Sequence, residues 1–234
     1  MKKKGEVNLV TDADRDSEEL IKKIILSRYP EHGFRAEEGC DAVSHSKYLW
    51  LVDPLDGTTN YAHAFPVYCV SIALLENNKA RTACIYNPNL DECFTAEYGT
   101  GAFLNGDRIA PSQTKTLDDS LLATGFPYDI RESSDNNLRE FAGFAVEALA
   151  IRRAGSAALD LAYTACGRFD GFWEFKLSPW DIAAGTLILL EAGGRLTDWS
   201  GQDCDIFNGE VLATNGKIHD EMLAVLRRIR TNRQ

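Results

Sequence analysis

No stretch of this chain approaches the roughly 18 continuous apolar residues that a membrane span needs, and the opening MKKKGEVNLV lacks an apolar signal-peptide core. A soluble, cytoplasmic protein with no membrane partner is the expectation. Paired cysteines are also missing. Cys40, Cys69, Cys84, Cys93, Cys166 and Cys204 are scattered without a CxxC, which argues against zinc sites and bridges and for reduced thiols. There is no GxSxG elbow and no Cys-His signature, and His32, His45, His63 and His219 have no evident partner in the sequence, so a seryl or cysteinyl nucleophile is disfavoured. Basic charge is scarce, with 25 Lys and Arg against 35 Asp and Glu for a net charge of -10. Nucleic-acid binding draws its affinity from basic groups that neutralise phosphates, so this balance disfavours it. Excess acid can simply maintain solubility, or it can leave carboxylates that await cations.

What is present is enough for a substantial core: 234 residues, 44% of them hydrophobic. The segment DRDSEELIKKIILSRY (14–29) spaces its apolar residues as a helix stopped by Pro30. Short apolar strands follow (48–53, 67–75, 81–86, 93–98), separated by turn signals such as NPNLD and NGD that predict antiparallel hairpins. The second half alternates: a strand at 120–126, helices near 136–150 and 156–166, a strand in FWEF, a helix at 180–191, two more strands, and a helix at 218–230. The expected fold class is α/β (α+β), helices packed in layers on mixed sheets. One domain, 1–234, is expected, with a seam dividing it into the halves 1–112 and 113–234.

WLVDPLDGTTN (50–60) ends an apolar run with two aspartates. Pro54 pushes Asp53 toward an extended conformation and Gly57 permits a sharp reversal, so Asp53, Asp56 and the Leu55 carbonyl can converge. Oxygen donors without nearby Cys or His suit Mg2+ better than zinc or copper. Thr58 and Thr59 read as a helix start able to receive an anion. An ordinary Asx turn with an N-cap explains the same residues. Further acids stand at Glu37 and Glu38 in RAEEG, after a short strand, and at Asp181 in SPWDIAAG, in the first turn of a helix. Glu37 also reads as a surface acid and Asp181 as a helix cap.

Together LVTDAD (9–14), AEEG (36–39), WLVDPLDGTTNYAHAFP (50–66), GSAALDLA (155–162) and WDIAAGTLILLEAGG (180–194) resemble the inositol monophosphatase family of Mg2+-dependent, lithium-sensitive phosphatases. The segments span nearly the whole chain. The resemblance implies a layered αβαβα sandwich of the sugar-phosphatase type, with largely antiparallel sheets. It implies two or three Mg2+ ions held by Glu37, Asp53, Leu55 (through its carbonyl), Asp56 and Asp181. It makes Asp14, Thr58 and Glu37 catalytic, Asp14 taking a water's proton through Thr58 because a lone threonine is too weak a base. Gly57 and Thr58 would bind the phosphate, Gly155, Ser156 and Ala157 the ester side, and Glu174 a substrate hydroxyl. Lys3 would sit on a basic loop over the site.

The implied function is phosphomonoester hydrolysis of myo-inositol 1-phosphate or a similar small polyol or sugar phosphate, by a homodimer. Alternatives are a fructose-1,6-bisphosphatase, a 3'-phosphonucleotide or histidinol-phosphate phosphatase, or a non-catalytic metal-binding regulatory protein. The deciding contacts would lie in loops such as YDIRESSDNN (128–137). Family members have a helix before the basic loop where this chain starts. Either translation begins upstream, or a layer is lost and apolar surface exposed that needs a partner.

Overall fold

The computed structural model describes residues 2–3, 9–39 and 41–231, of which 2–3 and 9–10 are backbone only. Two short strands, β1 (Lys2–Lys3) and β2 (Leu9–Val10), pair antiparallel and lead into α1 (Asp12–Arg28). A seven-stranded sheet follows, in spatial order β3 (Gly33–Ala36), β4 (Tyr48–Asp56), β5 (Cys69–Glu76), β6 (Lys79–Asn87), β7 (Glu92–Glu97), β8 (Gly101–Leu104) and β9 (Asp107–Arg108). Only the β3–β4 pair is parallel. The hairpins are built as the turn signals suggest. Asn77 and Asn78 both take positive φ between β5 and β6, and Asn105-Gly106 does the same between β8 and β9, which matches the twist of the flanking strands. Between β4 and β5 lies α2 (Thr58–Ala62).

The second sheet has the order β11 (Ala150–Arg152), β10 (Leu121–Thr124), β12 (Gly171–Glu174), β14 (Val211–Thr214), β13 (Arg195–Thr197), with two parallel and two antiparallel pairings. The helices of this half are α3 (Leu138–Ala145), α4 (Ala157–Ala165), α5 (Pro179–Ala192) and α6 (His219–Thr231). Of the helix expected over 136–150 only the middle forms: Asn137 takes a left-handed φ of 68 that begins α3 late, and Ala150–Arg152 pairs with β10 instead of continuing a helix.

α4 and α5 lie between the sheets, α5 against β4–β8 on one side and β13 on the other, while α1 covers β4 from outside and α3 and α6 cover the second sheet. The layering is therefore αβαβα. The side-chain pattern follows from it. α5 is apolar nearly all round and buries Ile182 through Leu189, as a central-layer helix must. On β12, Phe172 faces the core shared with α4 and α5, and Trp173 faces the core under α3 and α6. Both faces of that sheet are thus covered. α1 buries Ile25 and leaves Leu20 and Ile24 exposed.

Candidate active site

β4 does not stop at Asp53. It runs on to Asp56 through an irregularity in its pairing with β5, where Asp53 faces Ser71 and Asp56 faces Cys69. Pro54, which has no N–H to give a ladder, sits in this bulge. The Leu55 N–H donates to Asp53 Oδ1 at 2.9 Å, so the Asx turn exists and at the same time aims the carboxylate. Gly57 then turns the chain with a φ of 94. A Cβ there would lie 2.7 Å from the Val67 carbonyl.

The parallel β3–β4 register pairs Ala36 with Val52, so Glu37 follows onto the level of Asp53, its N–H on the Val52 carbonyl. Asp181 stands in the first turn of α5 with Oδ2 accepting the Ser178 N–H at 2.7 Å. Asp56 Oδ2 accepts from Ser156 Oγ and from the Ala158 N–H, both at 2.7 Å, which ties the turn to the start of α4. Behind the turn, Thr58 Oγ1 is 3.1 Å from Asp14 Oδ1 and 3.0 Å from the Leu55 carbonyl. Asp14 is buried in the first turn of α1, its other oxygen accepting Thr11 N–H and hydroxyl. Ser17 Oγ donates to the Pro54 carbonyl and fastens α1 to the bulge.

Glu37, Asp53, Leu55, Asp56 and Asp181 line one cleft of about 300 Å³ together with Gly57, Thr58, Gly155, Ser156, Ala157 and Glu174. Asp14 reaches it through Thr58, and the side chain of Lys3 lies outside the described residues. Asn60 Nδ2 bridges the Val67 and Ala154 carbonyls at 2.7 and 2.8 Å and holds the Gly155 loop against α2. His63 ends α2 away from the cleft lining. Two other histidines have partners that the sequence does not reveal: Trp50 Nε1 donates to His32 Nδ1, and His219 is buried between the hydroxyls of Thr197 and Thr214.

The acids strain against one another. Burial, then the charges of Glu37, Asp56 and Asp181, push the Asp53 carboxyl far above its ordinary range. Asp181 is raised likewise by burial and Asp56. Burial raises Asp56 to about 6 against the pull of its Ser156 and Ala158 bonds, and raises Glu174 to about 8. Such a set releases its protons readily only to a compensating cation. Among the described residues no three His, Cys, Asp or Glu side chains close on a single point as a ready-made ion cage. The acids line the cleft together with the Leu55 carbonyl, an all-oxygen donor set of the kind Mg2+ takes alongside water and ligand oxygens. Cys69 is a soft donor nearby, 4.0 Å from Asp56 Oδ2, and burial holds it as an uncharged thiol that makes a poor ligand. The donor set fits a hard divalent cation.

Among the titratable lining residues, four escape residue-by-residue sequence reasoning: Tyr128, Arg153, Asp160 and Lys176. Asp160 was visible inside GSAALD, four residues past the Ser156 cap, where helical spacing puts it on the same side of α4. The other three reach the cleft through loops that carry no periodic signal.

The chain matches the model of the inositol monophosphatase family over residues 1–231. It is 47% identical over 220 residues to an inositol-1-monophosphatase of Synechocystis, covering 94% of this chain and 77% of the relative. It is 42% identical over 230 residues to the Nus factor SuhB of Vibrio cholerae, covering 98% and 85%. Its fold superposes on the structure of an inositol monophosphatase from Anabaena with a TM-score of 0.91, at 48% identity and covering 94% and 87% of the two chains. A solved IMPase/NADP phosphatase complexed with Mg2+ and phosphate gives 0.84 at 25% identity, covering 96% and 84%.

Proposed function

This chain belongs to the inositol monophosphatase family, and we propose that it is a Mg2+-dependent, lithium-sensitive phosphomonoesterase that hydrolyses myo-inositol 1-phosphate or a similar small polyol or sugar phosphate. The observation that carries this reading is the gathering of acids from β3–β4 and the start of α5 in one cleft, beside a Thr58–Asp14 hydrogen bond.

Glu37, Asp53, the Leu55 carbonyl, Asp56 and Asp181 would hold two or three Mg2+ ions, whose chemistry is to polarise phosphoryl oxygens and acidify water. The protein's own groups do the rest. Gly57 and Thr58 present the N-terminal end of α2 to the phosphate. Thr58 Oγ1 accepts a hydrogen from the attacking water and passes its own to Asp14 Oδ1, 3.1 Å away. Glu37, next to Asp53, aids in orienting that water. The water oxygen bonds to phosphorus as the ester P–O bond breaks, and the alcohol leaves with a proton from solvent. Glu174 receives a hydroxyl of that alcohol, and the Gly155–Ala157 stretch lines its other side. On this reading the N-terminal half, 1–112, binds metal and the C-terminal half, 113–234, binds substrate within one domain, a reading supported by the packing of α5 on the first sheet. No described helix is long and apolar enough to cross a membrane; a cytoplasmic homodimer acting on a small ester is part of the proposal.

Asp181→Asn is expected to abolish Mg2+-dependent phosphate release while leaving the far-ultraviolet circular dichroism spectrum unchanged. Undiminished turnover in that variant would reject the assignment. The kinship to Nus factors supports a second reading, a regulatory binding protein. The retained Asp14–Thr58 pair favours the enzyme, because a scaffold gains nothing from a water-activating pair. Mg2+ binding without activity on any ester of a broad panel would favour the regulator.

A further inference from the structure

The connection from β10 to α3 carries the segment that sequence reasoning could not position, and the structure shows what holds it. Lys176, two residues beyond Glu174, spends all three ammonium hydrogens on this connection: Nζ donates to Asp129 Oδ2 at 2.6 Å, Ser133 Oγ at 3.0 Å and the Asp135 carbonyl at 3.1 Å. The second Asp129 oxygen is buried without a partner, so the ammonium is what offsets that carboxylate. The ion pair is half exposed and weak as a pair. What matters is that one group ties residues 129, 133 and 135 together. Lys176 does this from a left-handed backbone, φ 59, a conformation costly for a long side chain and found where surrounding contacts impose it.

The same connection brings Phe126, Pro127 and Tyr128 to the cleft, on the wall shared by Glu174 and Lys176. Tyr128 lines the cleft while staying 64% exposed, and partial burial with the charges of Glu37, Asp181, Asp56 and Asp53 raises its phenol above the ordinary range. It stands at the mouth as a neutral hydrogen-bond donor.

We propose that Lys176 is a positioning residue: it pins the 127–135 loop so that Tyr128 stands over the cleft mouth and sets the fit of the ester's alcohol portion. The second half of this statement rests on the phosphatase reading above; the pinning itself does not.

Lys176→Gly tests it, because glycine adopts the left-handed backbone freely; it removes the clamp together with the side chain's own share of the cleft lining, and the cycle with Tyr128 below separates the two. Amide hydrogen exchange over residues 128–135 is expected to accelerate about tenfold with the urea midpoint unchanged or raised. The KM for myo-inositol 1-phosphate should rise about tenfold while kcat moves less than about twofold. Lys176→Arg, which keeps the cation, should remain within about threefold of the wild type. In a cycle with Tyr128→Phe the two effects should not add, since one residue acts through the other. Unaltered exchange in Lys176→Gly overturns the clamp, and faster exchange with unaltered KM, or fully additive effects, overturns the link to Tyr128. A wild type inactive on every ester defeats the phosphatase reading and the ester half of the proposal with it, and the exchange comparison then judges the clamp alone.

Discussion

Gly125 shows how little room the far wall of the cleft leaves. A methyl group on its Cα would sit 2.2 Å from both carboxylate oxygens of Glu174. A glutamate side chain can swing aside, so Gly125→Ala should fold normally but misplace the proposed hydroxyl acceptor. A rise of about tenfold in KM for a polyol phosphate, with little effect on p-nitrophenyl phosphate, is the expected kinetic result. Equal effects on both substrates would separate Glu174 from the alcohol. At this scale the sequence is most informative where the proposed ligand and phosphate-binding groups are contiguous. Asp53, Leu55, Asp56 and Thr58 lie within six positions whose Pro and Gly restrict the backbone, so their convergence is readable before any fold is known. Lys176 and Arg153 are readable only afterwards, because a basic residue in a loop carries no sign of what it will face.

At the scale of elements, the centre of the molecule is a close contact between α4 and α5. Gly185 makes it possible: a Cβ there would meet Leu161 Cβ at 2.5 Å, backed by the buried alanines of both helices. Gly185→Ala is expected to cost about 1–3 kcal/mol through overpacking, measured as a lower urea midpoint with unchanged slope. Equal stability would mean the helices can separate without penalty. The element sequence itself was largely legible, since hairpin turns, a Pro-initiated helix and an Asn-Gly reversal each have local causes. Strand order was not. The pairing of β12 between β10 and β14 joins residues far apart in the chain, from Glu174 with Val211 to Leu122 with Gly171, and the breaking of the expected 136–150 helix depends on Asn137, whose amide is committed to Thr124 and Gly125.

For the whole molecule the raised carboxyls link stability to pH. Glu174 stands at about 8 against an ordinary 4.5, and Asp56 at about 6 against 3.8. Between each pair of values the folded chain binds protons that the unfolded chain has released, so these groups make the metal-free protein less stable as pH rises through that window. His219, lowered to about 4 by its burial and by Arg195, acts oppositely and loses stability as pH falls from 6.5. Comparison with Glu174→Gln isolates the first effect: in chelator, the variant should gain roughly 2–4 kcal/mol on the wild type between pH 5 and pH 8. A parallel pair of pH profiles would show Glu174 ionising freely in the fold. Added Mg2+ should stabilise the wild type more at pH 8 than at pH 5, because the cation binds the deprotonated acids; an equal gain at both would place the cation elsewhere.

The cleft belongs to no single layer. Asp14, which reaches it through Thr58, comes from the outer helix, Glu37 from the end of β3 and Asp53 from β4 in the first sheet, Asp181 from the helix between the sheets, and Glu174 from the second sheet. A molecule whose helices and strands have formed but whose strata have slipped by a few ångström would therefore still show native secondary structure while having nothing left with which to grip an ester. Retention of the proposed hydrolysis is thus the stricter gauge of native assembly in this chain, and partial unfolding by heat or denaturant should silence that turnover before it melts a helix.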